Sequence, residues 1–298
     1  MEKNRSQFRG FGVAMVTPFR DGKIDWPALD KLIEMLIQGG VDFIVPCGTT
    51  GESPTLSSEE HINVIVKTVN TVKGRVPVLA GTGSNNFSEA LEMTKLAKAS
   101  GADGAMVVVP YYSKPTETGI IMHYDKLANA VDLPIILYDI PGRTGIKVSS
   151  KTIISMANAG VIHGLKWASG DLHQLEDVLA GCPDNFDILS GNDDQTLDLM
   201  IRGGHGVISV IGNILPTRFK TFIRLMQAEL WGNSKNTHMN MINFMRLMFI
   251  ESNPAPVKAA LSLMYPDIFT SELRLPMWNL TGENLEILRN ELNDNDLL

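Results

Sequence analysis

The stretch Gly104-Ala105-Met106-Val107-Val108-Val109, a helix-like segment opening near Thr116, and then Pro134-Ile135-Ile136-Leu137-Tyr138 decide the fold. Neither apolar run alternates with polar residues, so each reads as a strand buried on both faces, as parallel strands wrapped by helices are. The unit recurs in both directions, at intervals of about 25 to 30 residues. The remaining runs are Gly12 to Thr17, Asp42 to Pro46, Val76 to Ala80, Val161 to Lys166, Phe186 to Ser190 and Gly206 to Val210, which makes eight strands. The helices between them begin near Trp26, Ser57, Asn85, Thr116, Ser149, Leu172, Asp194 and Thr217. Ser57 and Glu60 stand at the spacing of a capping box, which marks one of these starts firmly.

Eight such units close an α/β (β/α)8 TIM barrel of about 225 residues. An open doubly wound sheet would want a glycine-rich nucleotide fingerprint after its first strand. Gly81-Thr82-Gly83-Ser84-Asn85-Asn86 instead follows the third strand and lacks the last glycine. Beyond Trp231 the pattern is helical only, over Ser234 to Ile250, Pro256 to Met264 and Gly282 to Leu292. The expected organisation is a catalytic barrel over residues 1–231 and a C-terminal helical extension over 232–298.

Composition narrows the functions. With 26 Lys+Arg against 33 Asp+Glu, the net charge of -7 argues against a nucleic-acid or anionic-membrane surface. Cys47 and Cys182 are too few for a disulfide framework, and six scattered histidines form no metal-ligand spacing. Met1 to Gly10 lacks an apolar core, and no stretch approaches the roughly 18 apolar residues of a membrane span. The expectation is a cytoplasmic protein without a protein-built metal site.

In a barrel of this type the reactive groups gather at the carboxyl ends of the strands. Those ends carry Thr17-Pro18, Gly48-Thr49-Thr50-Gly51-Glu52, Gly81-Thr82, Tyr111-Tyr112, Tyr138, Lys166, Gly191-Asn192 and Ser209. Lys166 is the one amine of the set. In water a lysine has a pKa of about 10.4, but apolar walls can bring it to roughly 7 or 8 and free the amine for Schiff-base formation. Taken alone, a strand-end lysine more often snorkels to solvent, a tyrosine is more often core, and a threonine pair is turn chemistry. Exposed amides, hydroxyls, phenols and one amine at one rim together suit an enzyme of small keto acids. Cys47 has no base partner in sequence and reads as a small packed side chain.

Gly48-Thr49-Thr50-Gly51-Glu52, Tyr138-Asp139-Ile140-Pro141-Gly142-Arg143-Thr144-Gly145, Gly164-Leu165-Lys166 and Gly203-Gly204-His205-Gly206-Val207-Ile208-Ser209 resemble the signatures of the pyruvate-dependent class I aldolase superfamily. The match runs from about Gly10 to Pro276. Within the superfamily it most resembles members that condense pyruvate with L-aspartate 4-semialdehyde, without metal or organic cofactor, in diaminopimelate and lysine biosynthesis. The resemblance implies Lys166 as the Schiff-base lysine and Tyr138 as the phenol that relays protons. It implies that Thr49 links Tyr138 to Tyr112, the latter reaching in from a neighbouring subunit, and that Thr49 and Thr50 hold the pyruvate carboxylate. Arg143 would receive the carboxylate of the second substrate. Gly191 and Ile208 would supply backbone contacts.

The same resemblance implies a homotetramer built as a dimer of dimers. It also implies an allosteric pocket for L-lysine formed by Ser53, His61, Asn85, Glu89 and Tyr111, with Ser58 where sensitive relatives can have histidine. Two positions depart from the family pattern. Asp139 stands where asparagine is usual, and Trp167 stands where an acidic residue is usual, giving Lys166 a bulky neighbour that would desolvate it, shift the pocket or signal a different second substrate. Three alternatives stay open at this level: another pyruvate aldolase such as N-acetylneuraminate lyase or a 2-keto-3-deoxy-sugar-acid aldolase, a barrel gripping phosphorylated metabolites at Gly203, Gly204 and Gly206, and a non-catalytic metabolite-binding barrel.

Overall fold

The computed structural model describes residues 7–298. Eight parallel strands line the centre: β1 (Gly10–Ala14), β2 (Phe43–Val45), β3 (Leu79–Gly81), β4 (Gly104–Val108), β5 (Ile135–Asp139), β6 (Gly164–Trp167), β7 (Asp187–Ser190) and β8 (Gly206–Ser209). They pair in the order β2-β1-β8-β7-β6-β5-β4-β3. A parallel bridge from Ile44 to Val78 joins the two ends and closes the barrel. Helices α1 (Trp26–Gln38), α2 (Ser58–Val72), α3 (Phe87–Ala99), α4 (Glu117–Ala130), α5 (Ser150–Asn158), α6 (Leu172–Gly181), α7 (Thr196–Ile201) and α8 (Pro216–Gln227) follow the strands in turn. The expected (β/α)8 barrel is the fold, and strand and helix positions agree to within a few residues.

Local chemistry explains the starts. The Ser57 hydroxyl accepts from the Glu60 amide while the Glu60 carboxylate accepts from the Ser57 amide, so the capping box of α2 is complete. The side chains of Asp25, Asn86, Thr116, Ser149 and Asp171 cap α1, α3, α4, α5 and α6 by accepting a first-turn amide, without the return bond. The expected helix start near Asp194 is instead a 3-10 turn over Asp193–Gln195, and α7 begins at Thr196. The Asp193 side chain causes the delay: its Oδ2 accepts the Val210 and Ile211 amides and ties this turn to the neighbouring loop.

Strand alternation sorts the core into two shells. Inside the barrel lie Ala14, Phe43, Val45, Leu79, Met106, Ile136, Tyr138, Leu189 and Ile208. Outward residues such as Leu137, Leu165 and Trp167 pack under the helices. Three further helices, α9 (Trp231–Leu247), α10 (Ala255–Met264) and α11 (Gly282–Asp294), complete the chain. Their Met241, Phe244, Val257, Leu288 and Leu292 belong to the same core as Phe11, Leu32 and Phe219 of the barrel. No helix of the described residues is long and apolar enough to cross a membrane.

Candidate active site

Parallel pairing sets Tyr138 of β5 directly beside Lys166 of β6. Both point inward, so the amine and the phenol share the barrel interior. Lys166 is 4% exposed, and its Nζ lies 4.1 Å from the centre of the Tyr138 ring. Among the described residues no carboxylate forms an ion pair with it. Burial brings its pKa down to about 7; the charge of Asp193 opposes this, and that of Arg143 adds to it. A pKa near 7 leaves a substantial share of such amines unprotonated at neutral pH, against about one in 2,500 in water. Burial pushes the Tyr138 phenol up to about 12, while Arg143 and a hydrogen bond with the Thr49 side chain pull it down. The phenol therefore keeps its proton at neutral pH and can donate it.

The hydroxyls arrive on the turn after β2. Thr49 is half-buried and Thr50 fully buried. The Thr50 hydroxyl accepts from Asn253 Nδ2 at 2.9 Å. Arg143, exposed on a helical turn after β5, donates through Nη2 to the Asn253 carbonyl at 3.3 Å. At the end of β7, Gly191 admits no side chain, because a Cβ there would stand 3.2 Å from Lys166 Cε and 2.7 Å from the Ala168 side chain. Ile208 is a buried inner residue of β8. Lys166, Tyr138, Thr49, Thr50, Arg143, Gly191 and Ile208 thus lie at or near one end of the barrel, the carboxyl ends of the strands.

The two departures from the family pattern explain each other. Asp139 and Trp167 pair across β5 and β6 and point outward, on the far side of the sheet from Tyr138 and Lys166. Gln174 of α6 joins them: its Nε2 donates to Asp139 Oδ2 at 2.9 Å, and its Oε1 accepts the Trp167 indole N–H at 3.2 Å. Burial raises the Asp139 carboxyl to about 6, against the pull of Gln174 and the Val148 amide. Trp167 does not enter the interior, so the expectation that it walls Lys166 is corrected: inner residues such as Ile136, Leu189 and Ile208 form the apolar lining there.

Tyr112 is 88% exposed, at a φ of 69° in the left-handed region. Within one chain it does not pack into the barrel. Its neighbour Tyr111 lines a cleft of about 280 Å³ with Ser53, Ser58, His61, Thr82, Ser84 and Glu89. Asn85 adjoins the cleft and donates to the Tyr111 carbonyl at 3.5 Å. His61 Nε2 donates to the Gly81 carbonyl at 2.7 Å, and burial lowers the His61 pKa, which leaves Nδ1 as an acceptor on the neutral ring. Glu89 accepts from Ser84 and Asn86.

The glycine run at Gly203 to Gly206 has a packing cause. A Cβ on Gly206 would stand 2.0 Å from the Gly10 carbonyl, and one on Gly204 would stand 1.9 Å from Leu199. The run enters β8 at its amino end, opposite the reactive residues, so it does not form a phosphate grip at the mouth. Cys47 is buried, its thiol pushed up by burial and donating to the His61 carbonyl at 3.5 Å, in keeping with a packed side chain. Sequence reasoning missed Asn253, Asp193 and Gln174. The acidic pair Asp193-Asp194 directly after the strand-end Gly191-Asn192 was a usable signal; nothing near Asn253 was.

Over residues 7–295 the sequence matches the dihydrodipicolinate synthetase family. The 4-hydroxy-tetrahydrodipicolinate synthase of Syntrophus aciditrophicus (strain SB) is 47% identical over 291 residues, covering 98% of this chain and 99% of that protein. Among solved structures, the chloride-inhibited dihydrodipicolinate synthase of Acinetobacter baumannii, complexed with pyruvate, superposes with a TM-score of 0.94 at 40% identity, over 97% of this chain and 99% of that one. The dihydrodipicolinate synthase of Cyanidioschyzon merolae with lysine bound gives 0.93 at 36%, over 98% and 100%. Matches that run the length of the chain meet the barrel and its sunken lysine in one conclusion: the chain belongs to the dihydrodipicolinate synthetase family.

Proposed function

We propose that Lys166 is the covalent centre of the reaction and that Tyr138, Thr49 and Tyr112 carry its protons. The chain condenses pyruvate with L-aspartate 4-semialdehyde to give 4-hydroxy-tetrahydrodipicolinate, a step of diaminopimelate and lysine biosynthesis. Lys166 Nζ attacks the pyruvate ketone, and the proton of Tyr138 departs with the oxygen as water, leaving an iminium. The phenolate then removes a methyl proton. The enamine so formed adds to the aldehyde carbon, and the amino group of the second substrate displaces Lys166 and closes the ring. Thr49 and Thr50 hold the pyruvate carboxylate, Arg143 grips that of the semialdehyde, and Gly191 and Ile208 offer backbone groups.

One observation carries this reading: a buried amine with no ion-paired carboxylate among the described residues, packed on a phenol that keeps its proton. The test is borohydride reduction with pyruvate, followed by mapping of the adduct. Mass is expected on Lys166; mass on Lys147 or Lys151 would refute the assignment. A coupled assay with L-aspartate 4-semialdehyde, compared with sugar-acid aldehydes, checks the second substrate.

The exposed, left-handed Tyr112 supports an assembly in which it serves a neighbour's relay, at least a dimer and by resemblance a homotetramer. A fully active monomer on dilution would contradict it. The cleft of Ser53, His61, Asn85, Glu89 and Tyr111 suits L-lysine: Glu89 for an ammonium, His61 Nδ1 for the side-chain amine, Asn85 and the Tyr111 hydroxyl for the carboxylate. Inhibition at millimolar L-lysine is expected and should be lost in Glu89→Ala; activity indifferent to lysine would remove this part. Both cysteines are free, which accords with a cytoplasmic setting.

A further inference from the structure

We infer that the buried pair Glu52–Lys258 is a positioning device through which the C-terminal helices hold the Thr49–Thr50 hydroxyls in place for pyruvate; this rests on the role proposed above for those threonines. Glu52 closes the turn that begins at Gly48, and its amide donates to the Thr49 carbonyl at 3.1 Å. Its φ of 53° is left-handed, an uncommon conformation for a residue other than glycine, and a restraint on the side chain helps to hold it. The restraint is ionic. Glu52 is 2% exposed and forms an ion pair with Lys258 of α10, also 2% exposed.

Each partner is fixed a second time. Lys258 Nζ donates to the Glu272 carbonyl at 2.9 Å and lies 4.0 Å from the Phe19 ring centre. Glu52 Oε2 accepts the Arg274 amide at 3.2 Å, and the Arg274 guanidinium forks onto Glu60, both bonds 2.7 Å. From the same C-terminal region Asn253 donates to the Thr50 hydroxyl. The turn with the threonines is therefore clamped by side chains more than two hundred residues away in sequence. A buried ion pair is a poor source of net stability compared with apolar packing, but it fixes geometry where a directional contact is needed.

The test separates holding from mere folding. Lys258→Met strands a buried carboxylate and should lower the melting temperature; Glu52→Gln/Lys258→Met removes both charges and should recover most of it. If the pair positions the threonines, the double variant still shows a KM for pyruvate raised by about tenfold or more, with borohydride label still arriving at Lys166 at saturating pyruvate. Lys258→Arg, which keeps a cation, should stay nearer to wild type. A double variant with restored melting temperature and the wild-type KM overturns the proposal. Thr50→Val distinguishes the two failures: a raised KM there beside an unaffected double variant defeats the positioning role alone, whereas an unchanged KM in Thr50→Val defeats the underlying reading of the threonines and the positioning role with it.

Discussion

Lys166 and Lys258 are both buried, both packed over an aromatic ring, and both lowered by desolvation, to about 7 and about 8. They nevertheless stand in opposite situations. Lys258 faces Glu52, whose charge and hydrogen bond push its pKa back up. Lys166 has no ion-paired carboxylate among the described residues; Asp193 acts on it at longer range while spending Oδ2 on two backbone amides. Burial alone does not make a lysine reactive. A nucleophile also needs its lone pair unclaimed and open to a ligand, which for Lys166 is the barrel interior.

The sharpest way to break this comparison is labelling. Pyruvate and borohydride should add mass to Lys166 and leave Lys258 unmodified, and Lys166→Ala should lose the label and at least about a thousandfold in turnover while staying folded. Label on Lys258 would mean that burial suffices. Arg143→Ala comes next: loss of a charge-assisted carboxylate contact of about 1.5 to 3 kcal/mol should lower kcat/KM for the semialdehyde by roughly ten- to a hundredfold, with much less effect on imine formation. Unchanged kinetics toward the semialdehyde would remove Arg143 from the site.

A third substitution probes the outer face of the same strands. Gln174→Met leaves Asp139 and the Trp167 indole short of a partner, and should cost about 1 to 3 kcal/mol in denaturant unfolding. Equal stability would show that the network is idle. The smallest effect is a pH shift. Imine formation requires the free amine, so kcat/KM for pyruvate should rise with pH through about 7. Asp193 raises the Lys166 pKa and Arg143 lowers it, so Asp193→Asn should move this limb to lower pH and Arg143→Ala to higher pH. Movement in the same direction would contradict the electrostatic account.

Much of this was legible beforehand because it is local. Buried parallel strands announce themselves as unalternating runs, and the Ser57–Glu60 box is four consecutive residues. Lys166 and Tyr138 could be placed at strand ends, and parallel register made them neighbours. The clamp was not legible, since Thr50 and Asn253 are 203 residues apart and meet only once the last helices dock. Asp139 and Trp167 looked like disturbances of the pocket because sequence gives a residue's neighbour but not its face. A one-residue step along a strand reverses the side, and both departures fall on the outer one.

The barrel's closure has a thermodynamic consequence. Seven of its junctions are ladders of paired residues, but β2 meets β3 through the Ile44–Val78 bridge, with Ile44 donating to Pro77 and Gly81 to Pro46. This is the seam with the least to lose on local opening, and its amide protons should exchange with solvent before those of the other strands. The cleft that contains His61 and Glu89 straddles it, with Ser53 and His61 on one bank and Thr82, Ser84 and Glu89 on the other. A ligand held by both banks acts as a rivet. Its free energy of binding would be recovered as slowed exchange at Ile44 and Gly81, which makes the seam a gauge of occupancy independent of catalysis.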